Sequence, residues 1–382
     1  MRQAGAWMLM AGVWVSGCAP SRVSYTALDR VNLRDRAVDY LRSAVTYRQN
    51  PAVRVGAIEA LQRCESAEVL PWIRAALLDD EPAVRFAACV ALGVRRDGAA
   101  EAGVRNCTMD SDPNVVVGAL FALHQLGDER GMGRLATFLL EHPDTAVRRH
   151  AGLALGMTGE SAAIAILARA MKDRDRGVRQ HALEAMARLG NPEAIQELVF
   201  MSNSGVGSEE VFAIRALSAS GDRRYEETYR YKLANAMHAE TRLAAAEALG
   251  SLGDPSGYEM ALGELAGRSA LVVDVKDPPA GQRLRRVQLA ASALGAIGRT
   301  EALPDLRELL ESSRDPRVQV SAAGAMVAIL EAERSRGLPF AADGHGPETR
   351  VAPREWGRDV RGATIEPLRP RGGGNQGRGA GF

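Results

Sequence analysis

Apolar residues in this chain fall into one short pattern that keeps returning. Its clearest copy is Glu81-Pro82-Ala83-Val84-Arg85-Phe86-Ala87-Ala88-Cys89-Val90-Ala91-Leu92-Gly93: an acid, a Pro, an apolar stripe at helical spacing, then Gly. The first Val of the frame is counted as position zero, and an apolar residue closes it at position eight. The frame closes at Leu61, Leu92, Leu123, Leu155, Met186, Leu217, Leu249, Leu294 and Met326, in steps of 31, 31, 32, 31, 31, 32, 45 and 32 residues. Nine copies at a nearly constant period predict stacked helical units, each too small to bury its apolar face without the next.

Each copy has start and stop signals. Asn50-Pro51, Glu81-Pro82, Asp112-Pro113 and Asp315-Pro316 place a capping oxygen before a Pro, and Asp144 and Asp175 hold the same site without it. A short polar oxygen accepts from the free N–H groups of a helix start, where Pro loses no bond. Ala recurs at position four (Ala57, Ala88, Ala119, Ala151, Ala182, Ala245, Ala290, Ala322), which lets neighbouring helices approach. Gly127, Gly159, Gly190, Gly221, Gly253 and Gly298 follow the frame, as left-handed C-caps do. Between frames lie shorter periodic stretches, Val69–Leu78, Arg130–Leu140, Ala162–Met171 and Leu303–Leu310, and residues 29–49 supply the first. The unit is therefore helix A, turn, helix B, turn.

Two places break the rhythm. In copy six Glu209 replaces the Val and Ser202–Ser208 replaces the capped turn, which predicts a loose joint. The long step between Leu249 and Leu294 puts about thirteen extra residues near Leu271–Gly281, where Pro278-Pro279 excludes helix interior. This insertion reads as a surface loop or as part of a binding face. The segment 334–382 is rich in Gly, Pro and Arg and reads as a disordered tail.

The motif Pro82-Ala83-Val84-Arg85 with Ala88 and Ala91-Leu92-Gly93, and its equivalents, resembles the HEAT-like repeat family, in the short form also found in phycobilisome lyase proteins. The resemblance implies an all-α superhelix, a HEAT-like solenoid of about nine helix pairs over residues 29–333, with B helices on its concave side. Such repeats are mostly protein-binding scaffolds. Residues 1–17 read as a signal peptide, with Arg2 before an uncharged run from Ala4 to Val15. Val15-Ser16-Gly17-Cys18 resembles the lipobox of bacterial lipoproteins, which implies a lipid on Cys18 and a tether over 18–28. Ala19 after the Cys points to the outer membrane, facing the periplasm. The competing reading is an ordinary cleaved signal with an incidental Cys.

Composition narrows the function. A formal charge of +1 gives no field to attract nucleic acid or an anionic membrane. Aromatics are only 5%, in keeping with Ala/Leu-rich helices rather than a β-sandwich. Cys64, Cys89 and Cys107 lack metal-type spacing, and Cys89 occupies an apolar helix position. His150 and His181 hold equivalent places in successive copies, about 10 Å apart in a stack, too far for one zinc. No His-Glu pair, phosphate loop, Gly-x-Ser-x-Gly elbow or Cys-x-x-Cys is present. No catalytic residue, metal or cofactor is expected. Arg54, Arg85, Arg148, Arg179 and Arg242, all at position one, read as a ladder to the capping acids Glu81, Asp144 and Asp175, against a phosphate-binding stripe.

The face of helix B opposite its core stripe is the candidate site. At a 100° step, positions two, five, six and nine point away from the core. Phe86, Val90, Val117, Leu120, Phe121 and His124 then form an apolar patch, grading into Arg149, Gln180, Glu184, Arg215 and Glu247. A patch of this kind marks a partner site, or else a neighbouring helix covers it. The expectation is a non-enzymatic, lipid-anchored scaffold at the cell envelope that binds protein through its concave face. The alternatives are an accessory or regulatory subunit of an envelope enzyme or secretion complex, and a bilin-lyase-like enzyme.

Overall fold

A computed structural model describes residues 25–268 and 278–336. Residues 1–24, which hold the expected signal peptide, Cys18 and most of the expected tether, lie outside the described residues, as do residues 269–277 of the insertion and the expected tail from 337. The described residues contain no strand. They form nine helix pairs in chain order: α1 (Ala27–Ala44) and α2 (Pro51–Leu61), α3 (Leu70–Ala75) and α4 (Pro82–Val94), α5 (Glu101–Cys107) and α6 (Pro113–Gln125). Next come α7 (Met132–Glu141) and α8 (Thr145–Met157), α9 (Ile164–Ala170) and α10 (Arg176–Arg188), α11 (Pro192–Met201) and α12 (Gly207–Ser218). Last are α13 (Glu226–Asn235) and α14 (Ala239–Ser251), α15 (Tyr258–Leu265) and α16 (Pro279–Ile297), α17 (Leu303–Ser312) and α18 (Pro316–Ser335). The A helices are odd-numbered and the B helices even-numbered, as the period predicts.

Local chemistry sets the helix ends. Asn50, Asp112, Asp144, Asp175 and Asp315 each accept a backbone N–H of the first turn, at 2.8–3.0 Å. Glu81 is the exception and makes no side-chain cap. Its longer side chain does not fold back, and its own N–H is instead held by Asp79 at 2.9 Å. The six Gly residues after B helices all have positive φ. In the second pair that place falls to Arg96, with φ 49°. Gly93 is not a cap: it lies inside α4, and a Cβ there would sit 2.7 Å from Ala122 Cα. Gly156 likewise presses on Ala185 and Gly250 on the Ile297 backbone.

These small residues crowd the B layer and bend the stack. Each B helix packs beside the next, from α2 through α18, and α18 then packs against both α1 and α2. The expected superhelix therefore closes on itself as a ring, with B helices inside and A helices outside. Nine units in a full turn correspond to roughly 40° each. The closing contact uses Gly again: a Cβ on Gly56 would lie 3.3 Å from Val320 and one on Gly324 would lie 3.0 Å from Ala60. Around the seam, Arg34 reaches Glu331 at 3.0 Å, Arg30 reaches Glu333 at 2.8 Å and Tyr40 donates to Gln319 at 2.9 Å. Position-eight residues are almost fully buried, from Leu61 at 0% to Leu249 at 0% exposed, each adding about 1.5–3 kcal/mol.

The Arg ladder is present but its rungs differ from expectation. Arg54 meets Asp79 at 2.8 Å, Arg85 meets Asp110 at 2.7 Å and Arg148 meets Asp173 at 2.8 Å. Each acid lies 25 residues on, in the A–B turn of the following pair, two residues before its capping position. Arg179 and Arg242 find no such acid and donate to the backbone oxygens of Asp173 and Leu233. In pair six the charges are exchanged: buried Glu210 stands in the Arg place and takes Lys232 at 2.8 Å and Thr241 at 3.2 Å. The neighbouring step from α10 to α12 has the sparsest packing between successive B helices. The long insertion is not all loop, because α16 starts at Pro279 and carries extra N-terminal turns.

Candidate functional site

The B helices line a central lumen. Residues of α2, α12, α14, α16 and α18 surround one cavity of about 720 Å³, and residues of α2, α4, α6 and α8 surround a second of about 590 Å³. The positions that reach the lumen are minus one, two, three, six and ten, which together lie along one face of each B helix. Position six alone supplies Glu59, Val90, Phe121, Leu153, Arg215, Glu247, Ser292 and Gly324.

This corrects the expected face in part: positions two and six reach the lumen in several copies, and position five does not. Position five turns towards the adjacent B helix, so Cys89, Leu120 and Leu183 are buried. Val117 is also fully buried, at 0% exposed, and Phe121 shows only an edge, at 2%. The competing reading of these residues as core therefore holds for Val117 and Leu120 and for most of Phe121. His124 is half-buried, with Nε2 3.8 Å from Glu160. Phe86 and Val90 do reach the lumen and remain half-buried. Cys64, Cys89 and Cys107 are unpaired thiols within the core.

In the smaller cavity, Val55, Phe86, Val90, Leu153 and Met157 form an apolar wall. The Phe86 ring stacks on His150, with centroids 4.6 Å apart, and His150 Nδ1 contacts Asn114 Oδ1 at 2.7 Å. Burial, with His181 and Arg149 nearby, lowers the His150 pKa, so its imidazole is neutral at physiological pH. The wall also carries the carboxylates of Glu59, Glu81 and Asp112, and neither Lys nor Arg. Burial pushes the Glu59 carboxyl up, although its side chain is open to the lumen, and the charges of Arg63 and Arg215 pull it down only in part.

The larger cavity is more polar than the smaller one, and several of its charges are paired. Arg215 meets Glu247 at 3.3 Å, Ser292 donates to Glu247 at 2.6 Å and Arg285 meets Glu240 at 3.0 Å. Beyond the cavities, Arg149 meets the capping Asp175 at 3.0 Å, and Gln180 is half-buried. Burial alone would raise the Glu184 carboxyl, but His181 and Arg188 outweigh it and hold it below its ordinary value. Of the expected charged set, Arg215 and Glu247 line the larger cavity, while Arg149, Gln180 and Glu184 lie outside both cavities. Val55, Glu59, Leu153 and Met157 belong to the apolar side and were not singled out from sequence. Position six recurring in step is the signal for Glu59 and Leu153; Val55 lies at position two and Met157 at position ten.

Large apolar side chains are exposed elsewhere too. Leu78, Met109, Phe200, Val206, Tyr231 and Met237 all lie in the second half of an A helix or in the turn after it. They share one rim of the ring. Among the described residues, no group of three or more His, Cys, Asp or Glu is placed to hold a metal ion.

Comparison with known proteins follows the same architecture. The HEAT repeats family matches residues 38–123, 102–177 and 134–209, and the PBS lyase HEAT-like repeat matches residues 289–312. Similar solved structures include the complex of CpcE and CpcF of phycocyanin lyase from Nostoc sp. PCC7120, at 19% identity and TM-score 0.40, covering 75% of this chain and 100% of that one. Human deoxyhypusine hydroxylase in complex with glycerol is similar at 19% identity and TM-score 0.35, covering 81% of this chain and 100% of that one. These likenesses concern the fold alone. A search of curated proteins finds none that matches.

Proposed function

This chain is a HEAT-repeat protein, and from that premise we propose that it is a non-enzymatic scaffold that binds a protein partner through the lumen of its ring. The observation that carries this reading is the half-exposed apolar wall of Phe86, Val90, Leu153 and Met157 on helices that otherwise bury such residues. An unsatisfied apolar concavity gains free energy when a partner covers it. Cavities of 590 and 720 Å³ suit a single segment or a protruding loop rather than a globular domain. The exposed apolar rim offers a second contact for the body of the same partner.

The Cys18 lipobox supports placement at the cell envelope, with the acyl chains holding the chain to the outer membrane on its periplasmic side. Palmitate labelling checks this directly: the parent protein takes up label and Cys18→Ala does not, and equal labelling removes the anchor.

The scaffold reading is tested with a photo-cross-linker at Val90, inside the ring, and at Ala168, on the exposed face of α9. In intact cells, position 90 captures a defined protein and position 168 does not. Phe86→Asp abolishes that capture with helix content unchanged. Identical capture at both positions contradicts use of the lumen.

A further inference from the structure

The two cavities differ in how their charges are satisfied. In the larger one, Glu240 and Glu247 have Arg partners. Glu59 and Glu81, which line the smaller one, make no side-chain hydrogen bond or ion pair among the described residues, and Asp112 is engaged only with Asn114; Glu59 also borders the larger cavity, where the charges of Arg63 and Arg215 act on it without a direct contact. No Lys or Arg lines that wall, and its one imidazole is neutral. Solvent-reachable carboxylates with no direct partner beside an apolar, aromatic surface suit a cationic group.

We propose that the smaller cavity is a receptor for an organic cation with an apolar body: an ammonium or guanidinium group carried on an aliphatic or aromatic stem. The stem fills the space between Val90, Leu153 and Met157. The charged head meets Glu59, and Glu81 shares the same wall. The Phe86 ring, held in place by its stack on His150, presents a π face to the cation. A neutral ligand offers Glu59 no charge to pair with, and an anion adds repulsion. The volume of about 590 Å³ falls in the range of small-molecule sites. A Lys or Arg side chain flanked by apolar residues on a partner peptide has this chemistry, and so has a free amine. The inference deepens the scaffold reading by naming what enters the lumen, and it rests on that reading only for the peptide source.

The test uses the purified full chain and calorimetric titration with matched probes. One set is 4-phenylbutylammonium, 4-phenylbutanol and 4-phenylbutanoate, and the other is a pair of short Leu- and Phe-containing peptides differing only in Lys or Gln. The cation binds at least about tenfold more tightly than its neutral and anionic counterparts. Glu59→Gln removes that preference while circular dichroism stays unchanged. Phe86→Leu, a second variant that keeps the wall apolar, weakens the cation more than the alcohol. Binding of the Lys peptide without the free amine identifies a polypeptide source, and the reverse identifies a free amine. Equal affinity for cation and alcohol, or a preference that survives Glu59→Gln, overturns the proposal, as does binding of neither set. A partner captured at position 90 with no cation preference overturns this inference and leaves the scaffold. Cation binding with no captured partner does the opposite.

Discussion

Arg34 and Glu331 are 297 positions apart in sequence and 3.0 Å apart in the folded chain, with the Glu331 side chain only 5% exposed. That ion pair joins the first helix to the last and makes the array a ring. Its removal has a different signature from the loss of a terminal contact in an open stack. Glu331→Ala leaves the Arg34 charge without its buried partner and costs about 3 kcal/mol. Amide exchange rises first in α1 and α18, at both chain ends together. Exchange that rises in α18 alone contradicts the seam.

Arg96 holds a left-handed conformation that Gly occupies after six other B helices, with φ 49°. The strain is relieved by Arg96→Gly, which raises stability by about 0.5–1 kcal/mol in thermal or urea unfolding. Gly156→Ala acts in the opposite direction, since its Cβ would meet Ala185 Cα at 2.6 Å with backbone on both sides. A loss of about 1–3 kcal/mol is expected.

The Arg85–Asp110 rung ties pair two to pair three through two parallel hydrogen bonds of 2.7 and 2.8 Å. The Arg85 guanidinium holds the Asp110 carboxyl below its ordinary value. A depressed carboxylate contributes stability above its unfolded pKa, near 3.9, and loses it as pH falls through the folded value. Asp110→Asn therefore destabilises by about 1.5–3 kcal/mol at pH 7. The gap to the parent protein narrows as melting is repeated below about pH 4.

Glu59 shows the reverse sign. Burial raises its carboxyl, so its contribution is fully present below the unfolded pKa and fades as pH rises through the folded one. At neutral pH the ionised group opposes folding. Glu59→Gln raises the melting temperature at pH 7 and has no effect at pH 3. The same substitution weakens ligand binding, as expected where a site keeps an unsatisfied group for its ligand.

The repeat frame was legible because it depends on local chemistry. Asp112, Asp144 and Asp175 announce helix starts, and the Gly residues after B helices announce ends, whatever the remote surroundings. Ring closure was not legible, because it is the sum of nine small rotations set by contacts such as Gly93 against Ala122 and Gly324 against Ala60. Leu120 was misplaced for a related reason. A helical wheel gives a face opposite the core, but in a closed ring the flanks of each B helix are buried as well.

Closure is most directly tested by a distance across the seam. Arg36 on α1 and Glu311 on α17 form an exposed ion pair at 3.5 Å. Nitroxides at these two positions, read by pulsed dipolar spectroscopy in solution, should give one narrow distance on the order of 20 Å once both linkers are counted. An open stack of nine pairs separates them by eight steps of roughly 8–10 Å, on the order of 70 Å. A distribution centred there contradicts the ring, and the lumen with it.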